Sequence, residues 1–298
     1  MIIDITKFGT KGNIASAVTE AVKQANAGDT IFFPKGEYHF YKDFCQYRHV
    51  HMTNTDSFKF PQKYFGILLE NKSNITIDGD GSVFIIHGNM CAFGAIQCDR
   101  ITLKNFTVQY ACPTNVELTV KAKKGNKMIY TVAPNLPFYM KGNDIIFFEQ
   151  SPFTKKDYWK MRNNIKSWCA VLHRDKVVYR DGNQPFTGLH VTKKLDAQTI
   201  SVTSLLPKNY RVGDTLALSM NKCREGCGLF FGECRNMLSE NITVNYMHGF
   251  GWLSQMCENV SFNGIRFQPD ANHHVSSFAD CIHVCGCKGQ VDIRNSYF

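Results

Sequence analysis

Five short stretches of this chain repeat one pattern of polar and apolar positions. They begin at Ser73 (SNITIDGDGSVFII), Cys98 (CDRITLKNFTVQY), Ser239 (SENITVNYMHGFGW), Cys257 (CENVSFNGIRFQP) and Cys287 (CKGQVDIRNSYF). Each opens on a polar turn, often with asparagine, and continues with β-branched, apolar or aromatic side chains at alternate positions, the period of a strand. Where nothing intervenes, neighbouring stretches lie roughly 20 to 30 residues apart, the range in which a repeat means a solenoid. Stacked strands of this kind make a parallel β-helix, in which each rung buries its inward side chains on its neighbours'. Cys98 and Cys257 precede the first apolar residue of their strands by three positions and Cys287 by four, a spacing that stacks them as a ladder inside the coil.

The pattern differs at the front and in the middle. Residues 13–28 read as a helix: Ile14, Val18 and Val22 fall on one face with Ala17, Ala21 and Ala25 beside them, Asn13 can cap the start and Gly28 the end. A strand, a Pro-Lys-Gly turn and a second strand follow in DTIFFPKGEYHF. From Cys112 to about Asn221 the chain reads as hairpins, with Val116, Leu118 and Val120 alternating before a Lys-Gly-Asn turn. The expected organisation is all-β: a cap and first rungs over 1–111, an inserted barrel-like all-β domain over 112–221, and continuing rungs over 222–298. Five asparagines (Asn71, Asn74, Asn105, Asn241 and Asn259) begin N-x-S/T matches. Turn asparagines followed by strand Ser or Thr generate such matches without any glycan.

Composition removes several function classes. The net charge of +9 comes from scattered lysines, as in KAKKGNK, and no basic helix or aromatic-basic motif points to nucleic acid. No apolar run approaches the ~20 residues of a membrane span. The start, MIIDITKFGTKGN, lacks the basic and apolar regions of a signal peptide, so an intracellular protein is expected if Met1 is the native start. Without a secretion signal, the twelve cysteines read as small buried hydrophobes rather than a disulfide framework.

The segment ITKFGTKGN, the helix and GDTIFFPKGEYHF are together similar to the N-terminal cap of pectin-lyase-like β-helix proteins. HVHMTNTD, the β insertion, HGFGWLSQMCENVSFNGIRFQP and SSFADCIHVCGCKGQVDIRNSYF resemble glycoside hydrolase family 110, α-galactosidases that remove terminal α-1,3-linked galactose. The resemblance covers essentially the whole chain. It implies a right-handed parallel β-helix with an inserted β-barrel, inverting hydrolysis by aspartates, no metal or other cofactor, and a galactose-terminated glycan as partner. Asp280 matches the aspartate of the family's A-D-x-x-H stretch. The family also carries an adjacent aspartate pair a few residues beyond the equivalent of NSYF. The chain stops at Phe298, so the expectation is a fragment cut in mid-coil, with a bare edge open to self-association.

Inverting hydrolysis needs two carboxyl groups ~6.5–9.5 Å apart, one as acid and one to activate water. Strands stack ~4.8 Å apart, so carboxylates on nearby rungs fall in that range. Asp280 is the candidate catalytic residue; the other reading is a turn aspartate bonded to backbone amides. His283 is a candidate for binding sugar or fixing Asp280. Strand alternation puts Asp280 with Ile282 and Cys281 with His283, so Asp280 and His283 meet only across a bend. In MHGFGW, His248 and Trp252 are candidate sugar contacts, against a rung corner with a packed tryptophan. Asn54 to Asp56 either lines the same cleft or forms a turn, and the turn is the preferred reading. Cys281, Cys285 and Cys287, with His273 or His274, have no common zinc spacing, and Cys223 to Cys227 (CREGC) is a weak metal or redox candidate. Two rivals remain on the sequence: a pectin-type hydrolase or lyase, and a noncatalytic carbohydrate-binding β-helix.

Overall fold

A computed structural model describes the chain except for residues 10–12, 164–168, 174–175, 182–183, 207, 219–223, 249 and 278. Two compact units form. The first comprises Met1–Ala111, Arg224–Gln268 and Ser276–Phe298; the second comprises Cys112–Cys223 and Pro269–Val275.

In the first unit the chain alternates between two sheets, and each passage through both makes one rung. Rung 1 is Gln62–Glu70 and Ser73–His87; rung 2 is Cys91–Ile96 and Asp99–Tyr110; rung 3 is Cys227–Gly232 and Arg235–Tyr246. Rung 4 is Phe250–Gln255 and Glu258–Asn263; rung 5 is Ile282–Cys285 and Lys288–Arg294. Within each sheet, every rung pairs in parallel with the next. Rung 3 pairs directly with rung 2, although the second unit lies between them in sequence. The register stacks like on like: Ile67, Phe93, Leu229, Trp252 and Ile282 share one column. The helix Ala15–Gln24 turns Ala17, Val18, Ala21 and Val22 onto the same core, and Asn13 Oδ1 accepts the Ala15 N–H at 3.0 Å as its cap.

The corners explain the asparagines. Asn71, Asn74, Asn105, Asn241 and Asn259, the residues of all five N-x-S/T matches, have φ between 51° and 60°. Asparagine tolerates this left-handed conformation better than other non-glycine residues. Their side chains also bond from rung to rung: Asn241 Nδ2 donates to Asn105 Oδ1 at 3.4 Å, and Asn105 Nδ2 to Asp78 Oδ1 at 3.1 Å. The cysteine column has four members. Cys98, Cys234, Cys257 and Cys287 each direct a thiol at the carbonyl two residues earlier, at 3.2–3.7 Å. The sequence pattern omitted Cys234 because it starts the third rung at Ser239, in the middle of the strand Arg235–Tyr246.

The second unit is antiparallel throughout. A seven-stranded sheet runs in the order Lys176–Asp181, Cys169–His173, Asp214–Leu218, Val116–Lys124, Lys127–Val132, Thr199–Ser204, His190–Lys194. A three-stranded sheet joins Phe138–Lys141, Asp144–Gln150 and Asp157–Arg162. Among the described residues no pairing joins the two edges of the larger sheet. Pro269–Val275, expected in the coil, belongs with this unit. The buried Glu117 carboxylate accepts the backbone N–H groups of His274 and Val275 at 3.0 Å and holds the segment there.

Candidate active site

Through rungs 2 to 4 the sheet made by the first strands is buried on both faces. Its inner face meets the coil core. Its outer face carries a second apolar cluster of Met52, Phe65, Leu68, Cys91, Cys227, Phe230, Phe250 and Leu253. Sidedness switches inside each strand. Phe65, Cys91, Cys227 and Phe250 join the outer cluster, whereas Ile67, Phe93, Leu229 and Trp252, two residues later, join the core. Between them runs a column of small residues: Gly66, Ala92, Gly228 and Gly251. A Cβ on Gly251 would stand 2.0 Å from the Cys281 carbonyl oxygen, so only glycine lets rung 5 approach this closely.

That approach sets the site. Gly251 N–H donates to Asp280 O at 2.9 Å and Trp252 N–H to Cys281 O at 2.8 Å, fixing the backbone that carries Asp280. Ala279 packs against the outer cluster, and His283 stands in register with Leu253, in the outer column of Leu68 and Phe230. The chain bends at Ala279 and again at Cys281, and Phe278 lies outside the described residues. This is the bend that alternation required: His283 Nδ1 comes to 2.9 Å from Asp280 Oδ2. The Asp280 side chain is 53% exposed and that of His283 26%. The carboxylate therefore faces solvent while the imidazole holds one of its oxygens.

Around this pair the outer face becomes polar. The Phe250 ring lies 5.3 Å from the His283 ring, and the Arg224 guanidinium lies 5.1 Å from the Phe250 ring centroid. Arg224 is tied to the turn at Asn54–Asp56: Asp56 N–H donates to Arg224 O at 2.8 Å, and Arg224 N–H to Asp56 Oδ2 at 3.0 Å. Residues 50–60 thus form a strap over the outer face. Gln255 holds its start, accepting from Thr53 N–H at 2.9 Å and donating to His51 O at 2.8 Å.

A cavity of about 30 Å³, enough for a water, opens between Lys63, Asn89, Glu225 and His248. Lys63 Nζ donates to Phe60 O at 2.6 Å and also to the Glu225 carbonyl, and burial pulls its pKa down. Burial pushes the Glu225 carboxyl up; it accepts from Asn89 Nδ2 at 2.7 Å. His248 is buried, its Nε2–H donating to Gly88 O at 3.2 Å and its ring edge-on to Tyr110 at 4.4 Å. Burial lowers its pKa to about 3, so the ring is neutral.

The structure thus brings Asp280 and His283 together and places His248 in the neighbouring cavity. Trp252 is a correction. It is 0% exposed inside the coil, edge-on to Phe231 and Phe262 at 5.2 Å each, and has no face to offer a sugar. The aromatic residue of MHGFGW on the outer face is Phe250. Arg224 carried no sequence signal beyond CREGC, and its meeting with Asp56 carried none, because the two come together only across 168 positions of chain. Cys223 of CREGC lies outside the described residues, and Cys227 is packed in the outer cluster. Among the described residues no group of three His, Cys, Asp or Glu side chains is placed to hold a metal ion.

No family model matches the chain. Among curated proteins it is 26% identical to alpha-1,3-galactosidase A of Streptomyces avermitilis, over 100% of this chain and 50% of that protein. It is 28% identical to alpha-1,3-galactosidase A of Bacteroides thetaiotaomicron, over 96% of this chain and 49% of that one. To alpha-1,3-galactosidase B of the same organism it is 27% identical, over 99% and 48%. The chain spans about half the length of these curated relatives. Among solved structures, a family 28 exopolygalacturonase of Yersinia enterocolitica aligns with a TM-score of 0.40 at 11% identity, over 100% of this chain and 43% of that one, too weak a likeness to compare the folds.

Proposed function

We infer that this chain, which resembles the α-1,3-galactosidases of glycoside hydrolase family 110 along its whole length, serves the removal of terminal α-1,3-linked galactose from glycans. The observation that carries the reading is the Asp280 carboxylate: half exposed, held by His283 at 2.9 Å, and standing where the apolar outer face of the coil gives way to polar groups. We read the coil itself as a right-handed β-helix. Inversion takes two carboxyl groups, one to protonate the leaving oxygen and one to activate water. Asp280 supplies one of them. A single hydrogen bond from His283 orients the carboxylate and leaves its second oxygen open to substrate or water. His248 contributes through the cavity wall, as a neutral ring fixed by Gly88 rather than as a proton carrier.

The test is Asp280→Asn, which keeps the shape and removes the charge. Galactose release from an α-1,3-galactoside is expected to fall at least a thousandfold, the order expected when an essential acid or base is lost, with the circular dichroism spectrum and melting midpoint unchanged. Near-normal release by the variant would refute the assignment. Both measurements are made on the full-length protein, in which saturable galactoside binding without any release would favour a binding module instead.

A further inference from the structure

The guanidinium of Arg224 rests on a ring and forms no ion pair among the described residues. Its backbone is clamped on both sides by Asp56, at 2.8 and 3.0 Å, so the residue is fixed in place without its side chain. The side chain lies against the Phe250 ring at 5.1 Å. Arg224 is exposed, and among the described residues no carboxylate pairs with its guanidinium. Arg48, Arg100 and Arg294 of this unit are paired, with Glu70, Asp99 and Asp292, whereas Arg235 and Arg266 are, like Arg224, without an ion pair among the described residues; what sets Arg224 apart is the ring beneath it. Arg224 therefore presents a preorganised fork of N–H donors, one face resting on an aromatic ring and its edge open to solvent.

Its position gives the fork a target. The same Phe250 ring that carries Arg224 lies 5.3 Å from the His283 ring, and His283 holds Asp280. Fork and carboxylate are two ring contacts apart on one outer face. We propose that Arg224 is the specificity residue of this site, donating two N–H groups to a pair of neighbouring hydroxyls on the galactoside bound at Asp280. The proposal rests on the reading of Asp280 as the site of galactoside chemistry. A planar fork matches two oxygens at once, which the point charge of lysine does not. The ring beneath it restricts the fork to one orientation, so the entropy lost on binding is small. The chemistry recognised is a neutral vicinal diol; the alternative that a guanidinium also allows, an acidic sugar, is a separate outcome of the test.

The experiment measures binding of α-1,3-galactobiose by calorimetry in the Asp280→Asn background, where the ligand persists. Arg224→Gln is expected to weaken binding at least tenfold, and Arg224→Lys nearly as much despite keeping the charge. With Asp280 intact, the same substitutions are expected to raise KM more than they lower kcat. Equal affinity in the Asp280→Asn protein and in both Arg224 variants would overturn the inference while leaving the reading of Asp280 standing. Stronger binding of a galacturonoside than of the galactoside, lost on Arg224→Gln, would overturn the diol and assign the fork to an acidic sugar. Failure of the Asp280→Asn protein to bind any galactoside would overturn both. Melting midpoints check that the variants are folded, and the exposed position of Arg224 leads us to expect no change in them.

Discussion

Acidification between pH 7 and pH 5 is expected to destabilise the coil through His248. Burial lowers the pKa of this histidine from 6.5 to about 3. In the unfolded chain it takes up a proton as the pH falls through 6.5; in the folded protein it stays neutral until about pH 3. The unfolded state binds more protons across that window, so stability is complete above 6.5 and is lost as the pH falls toward 3. Below 6.5 each further fall of one in pH costs about 1.4 kcal/mol, so the loss at pH 5 is about 2 kcal/mol. The comparison is His248→Gln, whose side-chain amide can still donate to the Gly88 carbonyl but does not titrate. Glu225, in the same cavity and raised by burial, acts with the opposite sign at and above 4.5. It is present in both proteins and cancels in the difference. Urea unfolding followed by fluorescence at pH 7 and pH 5 gives the two stabilities. The wild type is expected to lose about 2 kcal/mol more than His248→Gln over this interval. Equal losses in the two proteins, or an imidazole resonance of His248 that titrates near pH 6, would refute the argument.

Trp252→Ala is expected to cost about 3–5 kcal/mol as a core truncation, whereas Trp252→Phe should leave KM for a galactoside unchanged. A raised KM with unaltered stability would return Trp252 to the sugar site.

What the sequence revealed follows from which faces of the coil meet water. Strands such as Asp99–Tyr110 have one face in the core and one in solvent, so their apolar residues alternate and the repeat is visible. The companion strands are buried on both faces. CAFGAI and CGLFFG read as plain apolar runs, without a period to find. The same burial hid the sidedness of MHGFGW. Phe250 and Trp252 are two positions apart and ought to share a face, but the backbone at Gly251 turns one outward and the other into the core. Asp280 and His283 were legible by resemblance, and their meeting by a stated condition, a bend. The meeting of Asp56 with Arg224 had no local pattern to reveal it, because it depends on rung 3 resuming beside the strap.

Rung 3 pairs with rung 2 as directly as rung 2 pairs with rung 1, so the stacking of Phe93 on Leu229 and Val108 on Val244 is indifferent to how much chain lies between. That boundary is a seam in the evolutionary sense. Changes of length between Cys112 and Cys223 leave the pairing of rung 2 with rung 3 intact, provided that Glu117 and its hold on His274 and Val275, ahead of rung 5, are kept.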